Sequence, residues 1–281
     1  MIRQSLYLVA VAMLQATELR AADPVRARVP FESAKAMSHQ QDWATAAGIP
    51  LKLTNSIGVK LILIPPGHFT MGPNGSTYRV TIGKPFYIGA TEVTLGQYRR
   101  FAAEHRVEGA ADEFNADDRP AAMVSWDEAQ AFCKWLSDQP DEREVGRSYS
   151  LPTEAQWEWA ARAGTGTTRY FGDDDKRQKE FSWFNDTYTP NPKHEIDGRG
   201  RRAVGQLPAN AWGLHDMLGN VWEWCDDRRI DERTGETRDP VMRGGSWRSG
   251  AFHCTAVAHD PGNPRQKGDN IGLRLVCIIA K

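Results

Sequence analysis

The sequence predicts an α+β fold that is low in regular secondary structure. Short apolar runs bounded by Gly and Pro between residues 60 and 89 read as strands, and two capping-box signatures at Ser125 and Thr153 open helices. Beyond Gly164 the chain is dominated by Gly, Asn, Asp and Pro and reads mostly as loop. Helices set among short strands, with no regular strand–helix alternation, point away from a doubly wound sheet. The 10 Trp and 25 Gly suit such a fold, because each Trp pins loops by burying a large area at low entropic cost.

Taken in order, residues 1–21 read as a signal peptide. Arg3 precedes an apolar run over 6–14 that is too short to span a bilayer, and Ala21 and Ala22 offer a small-residue cleavage site. Secretion or periplasmic export is the expectation. No later run is apolar enough to cross a membrane, and no Cys follows the first one to take a lipid. Residues 22–53, rich in Ala and charge with Pro24, Pro30 and Pro50, read as an N-terminal extension with a short helix near 31–37. The organised domain runs over 54–281. Its first strands are 60–64, closed by Pro65-Pro66-Gly67, then 68–72, 78–82 and 85–89. Thr94 caps a helix carrying Tyr98 and Phe101. Ser125 and Glu128 form a capping box, and Ala129, Phe132, Cys133 and Leu136 share one face of the helix that follows. Thr153 and Gln156 form the second box, on a helix that ends at Gly164. Residues 243–247 and 271–276 read as late core strands. Trp222 and Trp224 share a face of an extended segment, as core plugs.

With a net charge of −1, nothing in the balance of charge argues for a polyanion or a membrane surface as partner. No phosphate loop, nucleophile elbow or nucleic-acid motif is present. Cys133, Cys225, Cys254 and Cys277 lack zinc spacing; in an oxidising compartment four cysteines allow two disulfides in three connectivities.

Several segments in order then carry a resemblance: Asn55-Ser-Ile-Gly58, Ile64-Pro-Pro-Gly67 with Met71-Gly72, and Glu92-Val-Thr-Leu-Gly-Gln-Tyr98. Val124-Ser-Trp126, Ala131-Phe-Cys-Lys-Trp135 and Leu151-Pro-Thr-Glu-Ala-Gln-Trp-Glu158 continue it. Asn210-Ala-Trp-Gly-Leu214, Gly219-Asn-Val-Trp-Glu-Trp224, Arg243-Gly-Gly-Ser-Trp247 and Gly272-Leu-Arg274 complete it. Over about 54–278 the chain resembles the formylglycine-generating enzyme (sulfatase-modifying factor) family, which implies a C-type-lectin-like fold.

The resemblance implies a structural calcium held by the side chains of Asp216 and Glu223 and the carbonyls of Gly219 and Val221, an oxygen set calcium accepts. The plain alternative is that Asp216 caps a turn and Glu223 meets an arginine. A second calcium segment of the family, from Trp183 to Gly198, aligns poorly. The family's reaction centre falls on Cys254, Ser249, Ser246 and Trp222. Its active members hold Cu(I) with two thiolates, which activates O2 to oxidise a sulfatase cysteine. Here an ungapped alignment places Ser249 at the first thiolate and Cys254 at the second. A hydroxyl is a hard, neutral ligand, so the Cu(I) pair is not expected to form. His253 and His259 offer a mixed Cys/His alternative, and two loop histidines beside a structural Cys are the plain one. The family disulfide matches Cys133, with its partner position at Leu275; Cys277 lies on the same strand face, so Cys133–Cys277 is the favoured bridge. Cys225 and Cys254 then remain to pair with each other. A family branch that uses a three-histidine iron is not expected here, because its histidines sit largely on an extra N-terminal helical domain and this sequence shows neither that domain nor a paired-His helix motif.

Two functions compete. One is an oxidoreductase that matures sulfatases by making formylglycine. The other is a binding or accessory module, a pseudoenzyme whose loops take a protein, peptide or glycan ligand, alone or within a larger surface assembly. The missing thiolate favours the module.

Overall fold

The structure, a computed structural model, describes residues 23–73, 76–108, 112–185, 200–227 and 239–280. The signal-peptide segment and most of the second calcium segment lie outside these residues.

Strand β3 (Lys60–Ile64) shows why two cores form. It is apolar at every position after Lys60, and all four residues are buried. Leu61 and Leu63 face one cluster with Phe132, Leu136 and Tyr149, while Ile62 and Ile64 face another with Trp157, Trp159 and Trp212. A continuous apolar run rather than alternation is the signature of a strand covered on both faces. This strand belongs to a five-stranded sheet ordered β2 (Lys52–Thr54), β3, β6 (Phe86–Gly89), β12 (Val276–Ile279), β7 (Arg147–Ser150), antiparallel at each pairing. A four-stranded sheet runs β10 (His259–Pro261), β9 (Val241–Arg243), β8 (Trp222–Trp224), β11 (Ile271–Gly272). A third sheet sets β1 (Ala27–Arg28) parallel to β4 (Gly67–Met71), with β5 (Tyr78–Ile82) on its other side.

The two expected capping boxes sit where the sequence places them, and the Thr94 cap is a third box, although its helix stops at Tyr98, short of the expected Phe101. Thr94 opens α2 (Leu95–Tyr98), Ser125 opens α3 (Trp126–Ser137) and Thr153 opens α5 (Glu154–Arg162), each with both reciprocal bonds made. Helix α3 buries the expected four residues, Ala129, Phe132, Cys133 and Leu136. A short α4 (Pro140–Glu144) leads into β7.

Three expectations change. The N-terminal helix α1 spans Ser33–Ala47, well past residue 37, and buries Ala36, Gln40, Trp43 and Ala44. That stripe has helical spacing, but its polar and small members hide it from an apolar pattern. The segment is stitched to the rest of the chain: β1 pairs with β4, Phe31 N–H donates to the Gly164 carbonyl at 2.9 Å, and Gln40 donates to the Leu63 carbonyl at 2.8 Å. Residues 244–247 turn instead of continuing β9, because Gly244 and Gly245 take φ of 93° and 78°. The run over 271–276 is broken between β11 and β12, where Arg274 turns into the interior.

Candidate functional site

The turn after β9 brings together the residues expected at the reaction centre. A Cβ on Gly245 would lie 2.7 Å from Cys254 Sγ, so only glycine lets the two loops meet this closely. Ser246, Ser249 and Cys254 are all buried. Ser249 Oγ lies 3.0 Å from Ser246 Oγ and accepts the Ser246 N–H at 3.0 Å. Asn270 Nδ2 and the Arg248 N–H also donate to Ser246 Oγ, at 3.2 and 3.3 Å. Cys254 Sγ points at the Ser246 carbonyl, 3.9 Å away. Burial pushes its thiol up to about 12; the Ser182 hydroxyl, the Ser246 backbone and Arg169 offset this only in part. A thiol so placed stays protonated at neutral pH, the reverse of what a metal or nucleophilic thiolate needs. Trp222 is packed in the core, and its ring meets the His253 imidazole in a T-shaped arrangement with centroids 5.9 Å apart.

The mixed Cys/His site is not assembled. His253 lies tilted against the exposed Phe252 ring, centroids 4.0 Å apart, and His259 lies on the exposed edge strand β10, while Cys254 points inward. Among the described residues, no three His, Cys, Asp or Glu side chains form a metal-binding group. The expected disulfides are likewise not formed: all four cysteines are buried free thiols. Cys277 Sγ turns to the Ile278 carbonyl at 3.8 Å and Cys254 to Ser246, so each sulfur is engaged with its own neighbours. Burial raises the Cys133 and Cys225 thiols as well and takes Cys277 up to about 11.

The loop from Asp216 to Glu223 has both of its charged ends occupied by protein. Asp216 takes φ of 52°, and its Oδ2 accepts the Gly205 N–H at 2.6 Å. Glu223 points away from Trp222 and Trp224, as alternation along β8 requires. There Arg274 donates to it through Nε at 3.0 and 2.9 Å and through Nη2 at 2.8 Å, and Trp157 Nε1 donates at 2.6 Å. Arg274 also holds the Gly89 and His215 carbonyls at 2.8 and 2.9 Å. Glu223 thus meets an arginine and has no oxygen turned to a cation, so the expected set of four calcium ligands does not fit this arrangement as a whole. Asp216 does retain a buried oxygen, Oδ1, with no hydrogen-bond partner, and so do both oxygens of Glu92. Burial raises both carboxyls, and the charge of Asp216 raises Glu92 further while Arg274 opposes.

Glu92, Arg274 and Trp157 lie in segments that the sequence marks as motifs, but sequence reasoning assigns them no role. The available signal was an arginine between two leucines, 273 and 275, since a charge inside an apolar run implies a buried partner.

The sulfatase-modifying factor enzyme 1-like domain matches residues 52–279. The chain is 27% identical over 274 residues to "Chaperone protein LppX" of Paenibacillus barcinonensis, covering 83% of this chain and 95% of that one. It is 26% identical over 285 residues to "Inactive C-alpha-formylglycine-generating enzyme 2" of Bos taurus, covering 80% and 90%. It is 38% identical over 182 residues to the formylglycine-generating enzyme of Mycobacterium tuberculosis, covering 56% of each chain. Among solved structures, Treponema denticola variable protein 1 superposes with a TM-score of 0.65 at 24% identity, over 81% of this chain and 99% of that one, which supports the C-type-lectin-like α+β fold.

Proposed function

Since the chain belongs to the sulfatase-modifying factor enzyme 1-like domain family, we propose that it is an exported binding or accessory module of that family, without the two-thiolate copper chemistry. The observation that carries this reading is the Ser246–Ser249 hydroxyl pair, 3.0 Å apart, beside a buried Cys254 thiol that burial keeps protonated. One sulfur and one hydrogen-bonded hydroxyl do not supply the soft, anionic, linear donor pair that Cu(I) selects. The names of two relatives, a chaperone and an inactive formylglycine-generating enzyme, each matched over most of its length, support a non-catalytic role with a protein or peptide ligand. No described helix is long and apolar enough to cross a membrane.

The 38% identity to the Mycobacterium tuberculosis formylglycine-generating enzyme favours the second reading, an oxidase that converts a sulfatase cysteine to formylglycine. One experiment separates them: Cu(I) titration of the purified protein, with mass spectrometry of a cysteine-containing sulfatase peptide incubated with it. The module reading expects no tight copper binding and an unchanged peptide. Tight copper binding together with aldehyde formation overturns it.

Calcium stays in this reading only as a proposed stabiliser that rests on the free oxygen of Asp216, with the carbonyls of Gly219 and Val221 as the further ligands the family resemblance implies. Bound there, the ion would supply only charge neutralisation to the loop.

A further inference from the structure

The three-stranded sheet carries a cleft that the proposed function does not use. In β4, Gly67, Phe69 and Met71 are buried, while His68 and Thr70 point outward. The register sets Thr81 and Arg79 of β5 opposite His68 and Thr70, and Arg28 of β1 beside His68. Paired residues on neighbouring strands share a face, so Arg28, His68, Thr70 and Arg79 gather on one solvent side. With Val29 and Phe69 they line a cleft of about 260 Å³.

The charge here has no counterpart. Arg99, Arg147, Arg162, Arg169, Arg243, Arg248 and Arg274 each sit against a carboxylate. Among the described residues, neither Arg28 nor Arg79 has an ion pair or side-chain hydrogen bond, and the three strands contain no Asp or Glu. The His68 ring is held by Thr81, with Nδ1 2.9 Å from Oγ1. Two guanidinium groups without an ion pair therefore share one small face.

We propose that this face binds the oxyanion of a sulfate or phosphate ester. The two arginines stand on opposite flanks of β4, Arg28 on β1 and Arg79 on β5. A carboxylate presents one edge of two oxygens and satisfies one fork, whereas a tetrahedral oxyanion presents an edge to each. Thr70 adds a neutral donor between them. Because the cleft is open to solvent, binding weakens with added salt.

The test is isothermal titration of the full chain with sodium sulfate and, separately, sodium phosphate, at low and constant ionic strength, with sodium acetate as the single-edge control. Sulfate or phosphate is expected to bind saturably and acetate not. The stronger of the two names the ester. Arg28→Ala and Arg79→Ala are each expected to weaken binding about tenfold or more, as loss of a charge-assisted pair does, and Arg26→Ala to leave it unchanged. Should the alanine variants fail to fold, R28K/R79K keeps the charge and removes the forks, and is expected to bind several-fold more weakly. Equal binding of acetate, no saturable heat with either oxyanion, or unchanged affinity in the arginine variants overturns the proposal.

Discussion

At Glu142 a buried carboxylate is held by three donors. The Ser56 N–H is 2.6 Å away, the Tyr149 hydroxyl 2.5 Å and Arg147 3.4 Å. Burial alone raises this carboxyl, but the hydrogen bonds from Ser56 and Tyr149, with the Arg147 charge, hold it below the usual carboxylate range. A folded-state pKa below the unfolded one gives stability that is complete above the unfolded pKa, about 4.3 for Glu, and is lost as pH falls through the folded value. Glu142→Gln is therefore expected to cost about 1–3 kcal/mol near neutral pH, and to flatten the acid limb. Urea unfolding from pH 3 to 7 measures both, and an unchanged acid limb refutes the assignment. Arg274 is the stronger case, because it neutralises Glu223 with both groups fully buried. Arg274→Met leaves that carboxylate uncompensated, and a loss of about 3–5 kcal/mol is expected. Chemical denaturation checks it, and a loss below 1 kcal/mol would mean that Glu223 finds another partner.

Among the elements, α1 and β1 show how a stretch with a weak sequence signal becomes part of the architecture. Phe31 leads into α1 and packs its ring over Gly164, where an added Cβ would lie 2.3 Å from the ring. Gly164 also takes φ of 96°, which disfavours any side chain. Gly164→Ala is expected to displace Phe31 and loosen α1, at about 1–3 kcal/mol. Limited proteolysis should then cut near residues 29–33 in the variant and not in the parent; identical digestion patterns would refute this. Helix α5 shows the opposite relation. Its capping box announces an ordinary helix, yet Glu154, Glu158 and Arg162 are buried with its tryptophans. Arg243 from β9 reaches Glu158, which also takes Arg162 at 2.8 Å, so a strand remote in sequence makes that burial tolerable.

For the whole molecule, the five-stranded sheet is shared by both cores, since alternate residues of β3 serve each. Neither core can be lost while the other keeps its wall. Tryptophan fluorescence, which reports Trp157, Trp159 and Trp212 on one side and Trp222 and Trp224 on the other, is expected to change at the same urea concentration as far-UV circular dichroism. Two separated transitions would show the cores to be independent. Calcium is tested on the same scale. A ligand that binds only the folded state at 100 times its Kd adds about 2.7 kcal/mol, so millimolar calcium is expected to raise Tm, EDTA to reverse it, and Asp216→Ala to abolish it. A Tm indifferent to calcium removes the ion from the account and leaves Arg274 to organise the loop alone.

The sequence alone determined the parts whose physics is local. The helix cap at Thr94, the capping boxes at Ser125 and Thr153, the helical face of α3 and the apolar run of β3 depend on neighbours within a few residues. The ordered motifs likewise identified the family and, through the resemblance, singled out Ser246, Ser249 and Cys254. Only the tertiary structure decided what depends on residues far apart in the chain. Glu223 meets Arg274 across 51 positions, and α1 is held by Leu63 and Trp212. The oxyanion face exists because three strands share a register. Such pairings leave no period or spacing in the sequence: what selects them is the cost of leaving a charge or polar atom buried without a partner, and that cost is set only once the chain has closed around it.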